Sequence, residues 1–320
     1  MKRNDKIQIL RAIAIIAVVL IHTCPNGNFQ YICRPFINFA VATFLFLSGY
    51  LTKIEKTKEQ GFYKKRIFRV LIPYIIWSLI YSLASFESIG KLFFNLITTK
   101  SAATLYYIYV YIQFVVLTPL LYKIACSKYR WMIWIIPILS IIIFEYYYWI
   151  SGNEINKYLS VIWDVSCLGW VGYYYLGLLL GNKIIKVSIT TKKLLVLLII
   201  SIPLQIVEGY WLFNIGEENC GTQLKFTSLI TSTITMLLFY KFLANNKIKC
   251  TNKFLILIAD YSFGIYLSHI LIMKILSKLP LYPNIPYIIN SLIIVLISLF
   301  CAYIGNKICR KKISKYIGLS

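Results

Sequence analysis

Apolar runs of about twenty residues recur from one end of this 320-residue chain to the other. They fall at 7–24, 31–52, 70–86, 103–122, 131–150, 160–182, 194–213, 226–244, 254–277 and 287–306. A helix rising 1.5 Å per residue needs roughly twenty residues to cross the hydrocarbon core of a bilayer. With 59% hydrophobic and only 14% charged residues, the chain is too apolar for a soluble domain of its size. The expected fold class is therefore all-α, a polytopic integral membrane helix bundle of about ten transmembrane helices. The longest polar segment is Lys53–Arg69, too short for a separate soluble domain, so 1–320 reads as one membrane domain.

The net charge of +23 suggests a polyanionic partner until its distribution is read. With the N-terminus in the cytoplasm, the outer loops and outer helix ends hold only Arg34, Lys91, Lys100, Lys157, Lys225, Lys274 and Lys278. Every other one of the 34 basic residues falls on the cytoplasmic side. This is the positive-inside pattern. It expects both termini in the cytoplasm and accounts for the charge without nucleic acid.

Cys24-Pro25-Asn26 is a poor cleavage site after the first apolar run, so no cleavable signal is expected there. The eight cysteines are scattered without metal-ligand spacing and read as packed thiols, and no metal is expected. In the outer loop 87–102, Ile89, Leu92, Phe93, Leu96 and Ile97 recur at helical spacing, which suits a helix lying flat on the interface. Tyr and Trp near predicted helix ends suit interfacial belts. Richness in Ile, Lys, Tyr and Asn hints at an AT-rich bacterial genome, and the expected location is the bacterial inner (plasma) membrane, crossed many times.

The first apolar run carries Arg11 and His22. Eleven steps of ~100° bring both to one helix face, roughly 16 Å apart along the axis. Ionisable groups at membrane depth are costly and usually functional. His269, the second of only two histidines, should lie at a similar depth on a helix running the same way. Glu145, Asp164 and Glu208 map to the same outer half. A carboxylate orienting a histidine is the usual arrangement for a general base. The plainer alternative is that these groups satisfy one another between helices.

At the cytoplasmic start of the third run, Arg66 and Arg69 are one helical turn apart, followed by Pro73-Tyr74. Two guanidinium forks suit phosphate, and they also suit anchoring to lipid headgroups. Ser48-Gly49 and the Gly177-x-x-x-Gly181 spacing are signals for close helix packing.

Taken in order, these pieces resemble the membrane acyltransferase-3 family, which acylates cell-surface glycans. Arg11 and His22 resemble its Arg-x10-His signature, and Phe44–Leu51 its Phe-Phe-x-x-Ser-Gly-Tyr-Leu segment. Arg66 and Arg69 resemble its Arg-x-x-Arg pair, Tyr175–Gly181 its Tyr-x-Leu-Gly-x-x-x-Gly helix, and Tyr261–His269 its late Ser-x-Gly-Ile-Tyr-Leu-x-His segment. Many members carry an Asp ahead of the Phe-Phe segment, where this chain reads Phe39-Ala40-Val41-Ala42-Thr43.

The resemblance implies an O-acetyltransferase. Acetyl-CoA would serve as co-substrate, with no permanently bound cofactor, and its phosphates would be held by Arg11, Arg66 and Arg69. His22 and His269 would be the catalytic residues. Glu145, Asp164 and Glu208 would orient a histidine or bind the acceptor, a surface polysaccharide or lipid-linked glycan precursor. Partners would otherwise be membrane lipids. The competing expectation is a transporter or flippase for a glycan or other polar solute, using the same buried groups as a path.

Overall fold

The computed structural model describes residues 4–146, 163–217, 219–247, 251–280 and 282–319. Among them every regular element is helical. The α-helices are α1 (Asp5–Thr23), α2 (Asn28–Cys33), α3 (Phe39–Leu51), α4 (Phe62–Ala84), α5 (Ile89–Thr98), α6 (Tyr106–Ala125) and α7 (Ile135–Ser140). They continue as α8 (Val171–Gly181), α9 (Thr191–Asn214), α10 (Phe226–Ala244), α11 (Lys253–Asp260), α12 (Ser262–Leu276), α13 (Tyr287–Ile308) and α14 (Lys311–Ile317).

Among the described residues, seven stretches are long and apolar enough to cross a membrane: Asp5–Thr23, Asn28–Leu51, Phe62–Ala84, Tyr106–Ala125, Thr191–Asn214, Phe226–Ala244 and Tyr287–Ile308. An eighth results if α11 and α12, bent by 73° at Tyr261, count as one broken span. Each matches a predicted run. The other two predicted spans, 131–150 and 160–182, correspond to the shorter apolar helices Met132–Ile143 and Leu168–Gly181. Part of each lies in 147–162, outside the described residues, as does the Glu145 side chain. The exposed leucines and isoleucines of α9, among them Leu195, Ile199 and Ile200, form a face suited to lipid.

α1 organises the bundle. Its Asn4 side chain caps the Lys6 N–H, and Ala12, Ala14, Ile15 and Val19 have no exposed surface. A helix buried on nearly every side is a core helix. Its first turns, through Ile7 and Leu10, join a cluster with α3, α6, α8 and α10. Its later turns, Ala12 to Ile21, join a second with α4, α12 and α13.

α3 and α8 pack backbone to backbone. A Cβ on Gly49 would strike the Tyr174 carbonyl, and one on Gly177 the Phe46 carbonyl, so only glycine permits this contact. Gly181 meets the Tyr50 backbone in the same way. Lipid tails are as apolar as leucine, so dispersion and hydrogen bonds hold such a pair together.

The interfacial-belt expectation covers only part of the tyrosines. Tyr74, Tyr81, Tyr173, Tyr174 and Tyr175 are fully buried. They fit because buried hydroxyls find partners: Tyr81 donates to the Leu267 carbonyl at 2.8 Å, and Tyr175 to that of Arg130 at 2.8 Å. α5 also departs from a flat surface helix. Ile89, Phe93 and Ile97 are exposed, but the Leu96 carbonyl accepts hydrogen bonds from both Tyr74 and Tyr109. Its C-terminal end is thereby drawn into the bundle.

Candidate active site

The break between α11 and α12 presents Ser262, the first residue of α12, to α1. Arg11 donates from Nη2 to the Ser262 hydroxyl at 2.9 Å, and its Nη1 reaches Gln8 Oε1 at 3.4 Å. Two turns further along α12, His269 meets His22 from the last turn of α1. Their ring centroids are 5.5 Å apart and the planes tilt by 51°. The shared helix face predicted for Arg11 and His22 thus lies along α12, and the expectation of equal depth for the histidines ends in ring contact.

The protonation pattern of His269 follows from its bonds. Its Nδ1 stands 2.9 Å from the Ile265 carbonyl, one turn back. A carbonyl only accepts, so Nδ1 carries the hydrogen and the neutral ring keeps its lone pair on Nε2. Nε2 is buried and has no protein partner, in a residue only 1% exposed. His22 is half-buried beside it. α13 closes this end of the site: Thr23 and Ser291 share a hydroxyl contact of 2.7 Å, and Tyr287 donates to the Leu20 carbonyl at 2.8 Å.

Asp164 and Glu208 are engaged elsewhere. Asp164 is exposed. Glu208 serves the start of α10: it accepts from the Phe226 and Thr227 N–H groups at 3.2 and 3.0 Å, and from the hydroxyls of Tyr146 and Thr227. A carboxylate at a helix N-terminus is favoured by the exposed N–H groups there. Beside it Lys225 is fully buried, donating to the Cys220 and Gln205 carbonyls at 3.0 and 3.2 Å.

Arg66 and Arg69 part company. Arg66 is half-buried, donates from Nη1 to the Thr52 hydroxyl at 2.7 Å, and sits 4.6 Å over the Phe62 ring. Thr52 passes its own hydrogen to the Ser48 carbonyl at 2.7 Å, which fixes its oxygen as the acceptor. Arg69 is exposed.

One residue of the neighbourhood escapes sequence reasoning. Arg34, counted above only as an outer basic residue, lies close enough to His22 for their charges to interact. It donates to Gln30 Oε1 at 3.0 Å, its Nε is buried without a partner, and among the described residues no carboxylate pairs with it. The signal was faint: an arginine on the cation-poor side of the membrane.

A family model described as an acyltransferase domain, that of acyltransferase-3, matches residues 4–307. The chain belongs to the acyltransferase-3 family. As a family member it is a multi-pass membrane protein of the acyltransferase class. It is also similar to proteins named probable poly-beta-1,6-N-acetyl-D-glucosamine export protein. The relative from Staphylococcus aureus (strain MSSA476) is 25% identical over 316 residues, covering 91% of this chain and 87% of the relative. That from Staphylococcus epidermidis is 24% identical over 329 residues, covering 93% and 88%. No solved structure matches.

Proposed function

We propose that the chain transfers an acetyl group from cytoplasmic acetyl-CoA to a hydroxyl of a cell-surface polysaccharide or its lipid-linked precursor. The observation that carries this reading is the His22–His269 pair, with a buried, uncommitted Nε2 on His269. A neutral imidazole with a free lone pair is a general base. One of the two histidines takes the proton from the acceptor hydroxyl. The oxygen attacks the thioester carbonyl, the C–S bond breaks, and the CoA thiolate leaves and picks up a proton.

The cations divide between the two ends of α1. Arg11 and Arg66 suit the CoA phosphates, because guanidinium forks stay charged and bind phosphate in two-point fashion. Arg69, being exposed, suits a looser electrostatic part. Arg34, within charge range of His22 and with no carboxylate partner among the described residues, suits the negative charge that develops on the thioester oxygen. The glycan acceptor is supported by the polysaccharide in the relatives' names.

Mass spectrometry of surface glycans from cells with and without the gene tests the reading. Loss of an acetyl group that returns with the wild-type gene but not with His22→Ala supports it. An unchanged acetylation pattern rejects it.

The word export in those names favours a second reading, passage of a glycan across the membrane. Proteoliposomes decide between them: glycan movement without acyl-CoA supports export, and acetyl-CoA-dependent labelling of the glycan supports transfer.

A further inference from the structure

Between α4 and α6 the chain doubles back into the bundle. α4 ends at Ala84, ten residues or roughly 15 Å beyond Tyr74. Yet the Tyr74 hydroxyl bonds to Leu96, near the end of α5. α5 therefore runs back along the later half of α4 by about its own ten-residue length. It stops at Thr99, whose backbone is left-handed (φ 61°), and residues 100–105 continue without regular helix.

The hydroxyl residues of that stretch are buried, Thr99 5% exposed, Ser101 7% and Thr104 2%, while Lys100 and Ala103 between them are exposed. Irregular backbone at membrane depth is tolerated only where protein covers it or where it lines a wet cavity. Its backbone is partly served. The Lys100 N–H reaches the Asn95 carbonyl at 3.1 Å, and Tyr266 donates its hydroxyl to the Thr104 carbonyl. The side chains are not. Ser101 Oγ and Thr104 Oγ1 are buried without any partner, as is His269 Nε2. Tyr266 links the two groups, since its ring lies 6.4 Å from that of His269 while its hydroxyl holds Thr104. Buried polar atoms are rarely left unpaired, so several in one neighbourhood indicate water or a polar ligand.

We propose that the segment Thr98–Leu105 forms, with the His269 face of α12, a subsite for the acceptor, and that it takes a neutral, hydroxyl-rich sugar chain. This rests on the acyl-transfer reading above. The chemistry fits: a serine or threonine hydroxyl both donates and accepts, as a sugar hydroxyl does, and the segment's one charged residue, Lys100, is exposed rather than buried with Ser101 and Thr104. The position fits as well. The segment begins at the level of Tyr74, eight residues or roughly 12 Å along α4 from Arg66. A sugar seated on Ser101 and Thr104 would bring a hydroxyl to His269 Nε2 without crossing the Arg66 end.

The test uses the full chain in nanodiscs, with a β-1,6-linked N-acetylglucosamine pentamer and CoA as separate ligands and binding read by tryptophan fluorescence. Ser101→Ala combined with Thr104→Val should weaken pentamer binding about tenfold and leave CoA binding unchanged. Thr104→Ser, which keeps the hydroxyl, should bind as wild type. In the unmodified protein the pentamer should slow amide exchange across 98–105, a measurement that needs no variant to fold. Wild-type protein that does not bind the pentamer overturns the subsite. So do a double variant that binds it normally and amide exchange that the sugar leaves unchanged. Acetyl transfer is assayed in parallel: pentamer binding without any transfer rejects the enzymatic reading, whereas transfer that the double variant leaves intact rejects only this subsite.

Discussion

His22 and His269 lie in ring contact at a centroid distance of 5.5 Å, although 247 positions separate them in the chain. Replacing either should remove most of the transfer rate. General-base catalysis contributes about 10²- to 10⁴-fold, so His22→Ala and His269→Ala should each lower kcat by that order with the protein still inserted. His269→Asn also removes the Nε2 lone pair and should resemble His269→Ala. Radiolabelled acetyl transfer in membranes measures it, and a His269→Asn enzyme with wild-type turnover would remove His269 from the chemistry.

The two arginines of the Arg-x-x-Arg pair should not be equivalent. Arg66 is anchored to Thr52 and faces inward, whereas Arg69 is exposed. A hydrogen bond to a charged group is worth about 1.5–3 kcal/mol, so Arg66→Ala should raise the KM for acetyl-CoA about tenfold or more. Arg69→Ala should change it by no more than about twofold, since exposed charges are screened. Equal effects from the two variants would contradict the inward assignment of Arg66.

The α3–α8 contact should be intolerant of any side chain. A Cβ at Gly177 would meet the Phe46 carbonyl, which belongs to a helix backbone and cannot swing aside. Overpacking typically costs about 1–3 kcal/mol, and a backbone clash lies at the upper end. Gly177→Val should lower the melting temperature in detergent and the yield of folded protein. Gly216→Ala, where a Cβ meets nothing but φ is +88°, should cost less.

Much of this arrangement was legible in the residues. The apolar runs gave the helices, because membrane crossing has a fixed length. The eleven-residue spacing gave the shared face of Arg11 and His22, because helical periodicity is geometric. The Gly177–Gly181 spacing gave the tight α3–α8 pair for the same reason. The rest depended on partners distant in the chain. Glu208 looked like an outer-half acid, but its role is set by the start of α10, eighteen residues later. The return of α5 into the bundle is written in no period, since its apolar face suits both lipid and protein. Arg34 became notable only when its buried Nε and its want of a carboxylate partner among the described residues could be seen.

Lys225 makes stability depend on pH. Burial pulls its ammonium down to about 8, with the neighbouring Glu208 carboxylate pulling the other way. In the unfolded chain it titrates near its ordinary value of 10.5. Between about 8 and 10.5 the unfolded chain therefore binds more protons than the folded one, and stability rises with pH across that window. Below about 8 both states are protonated and this contribution is flat. Thermal unfolding in detergent at pH 7.5, 8.5 and 9.5 should show the climb, and Lys225→Met should lose it. A wild-type profile as flat as that of the variant would contradict the buried, weakened ammonium.

Arg34 should act on turnover rather than on donor binding. It lies within charge range of His22, no carboxylate among the described residues pairs with it, and its Nε is buried without a hydrogen-bond partner there. Removing a donor that stabilises a developing oxyanion costs about 10²- to 10³-fold in kcat. Arg34→Gln should show that loss with little change in the KM for acetyl-CoA, because the proposed phosphate site is formed by Arg11 and Arg66 instead. Arg34→Lys keeps the charge but not the fork and should recover part of the rate. Initial rates against acetyl-CoA concentration separate the two parameters. A raised KM at constant kcat would place Arg34 with the donor site instead, and equal rates for Arg34→Gln and wild type would leave it a packing residue, its Cδ lying where a Cβ on Gly221 would be.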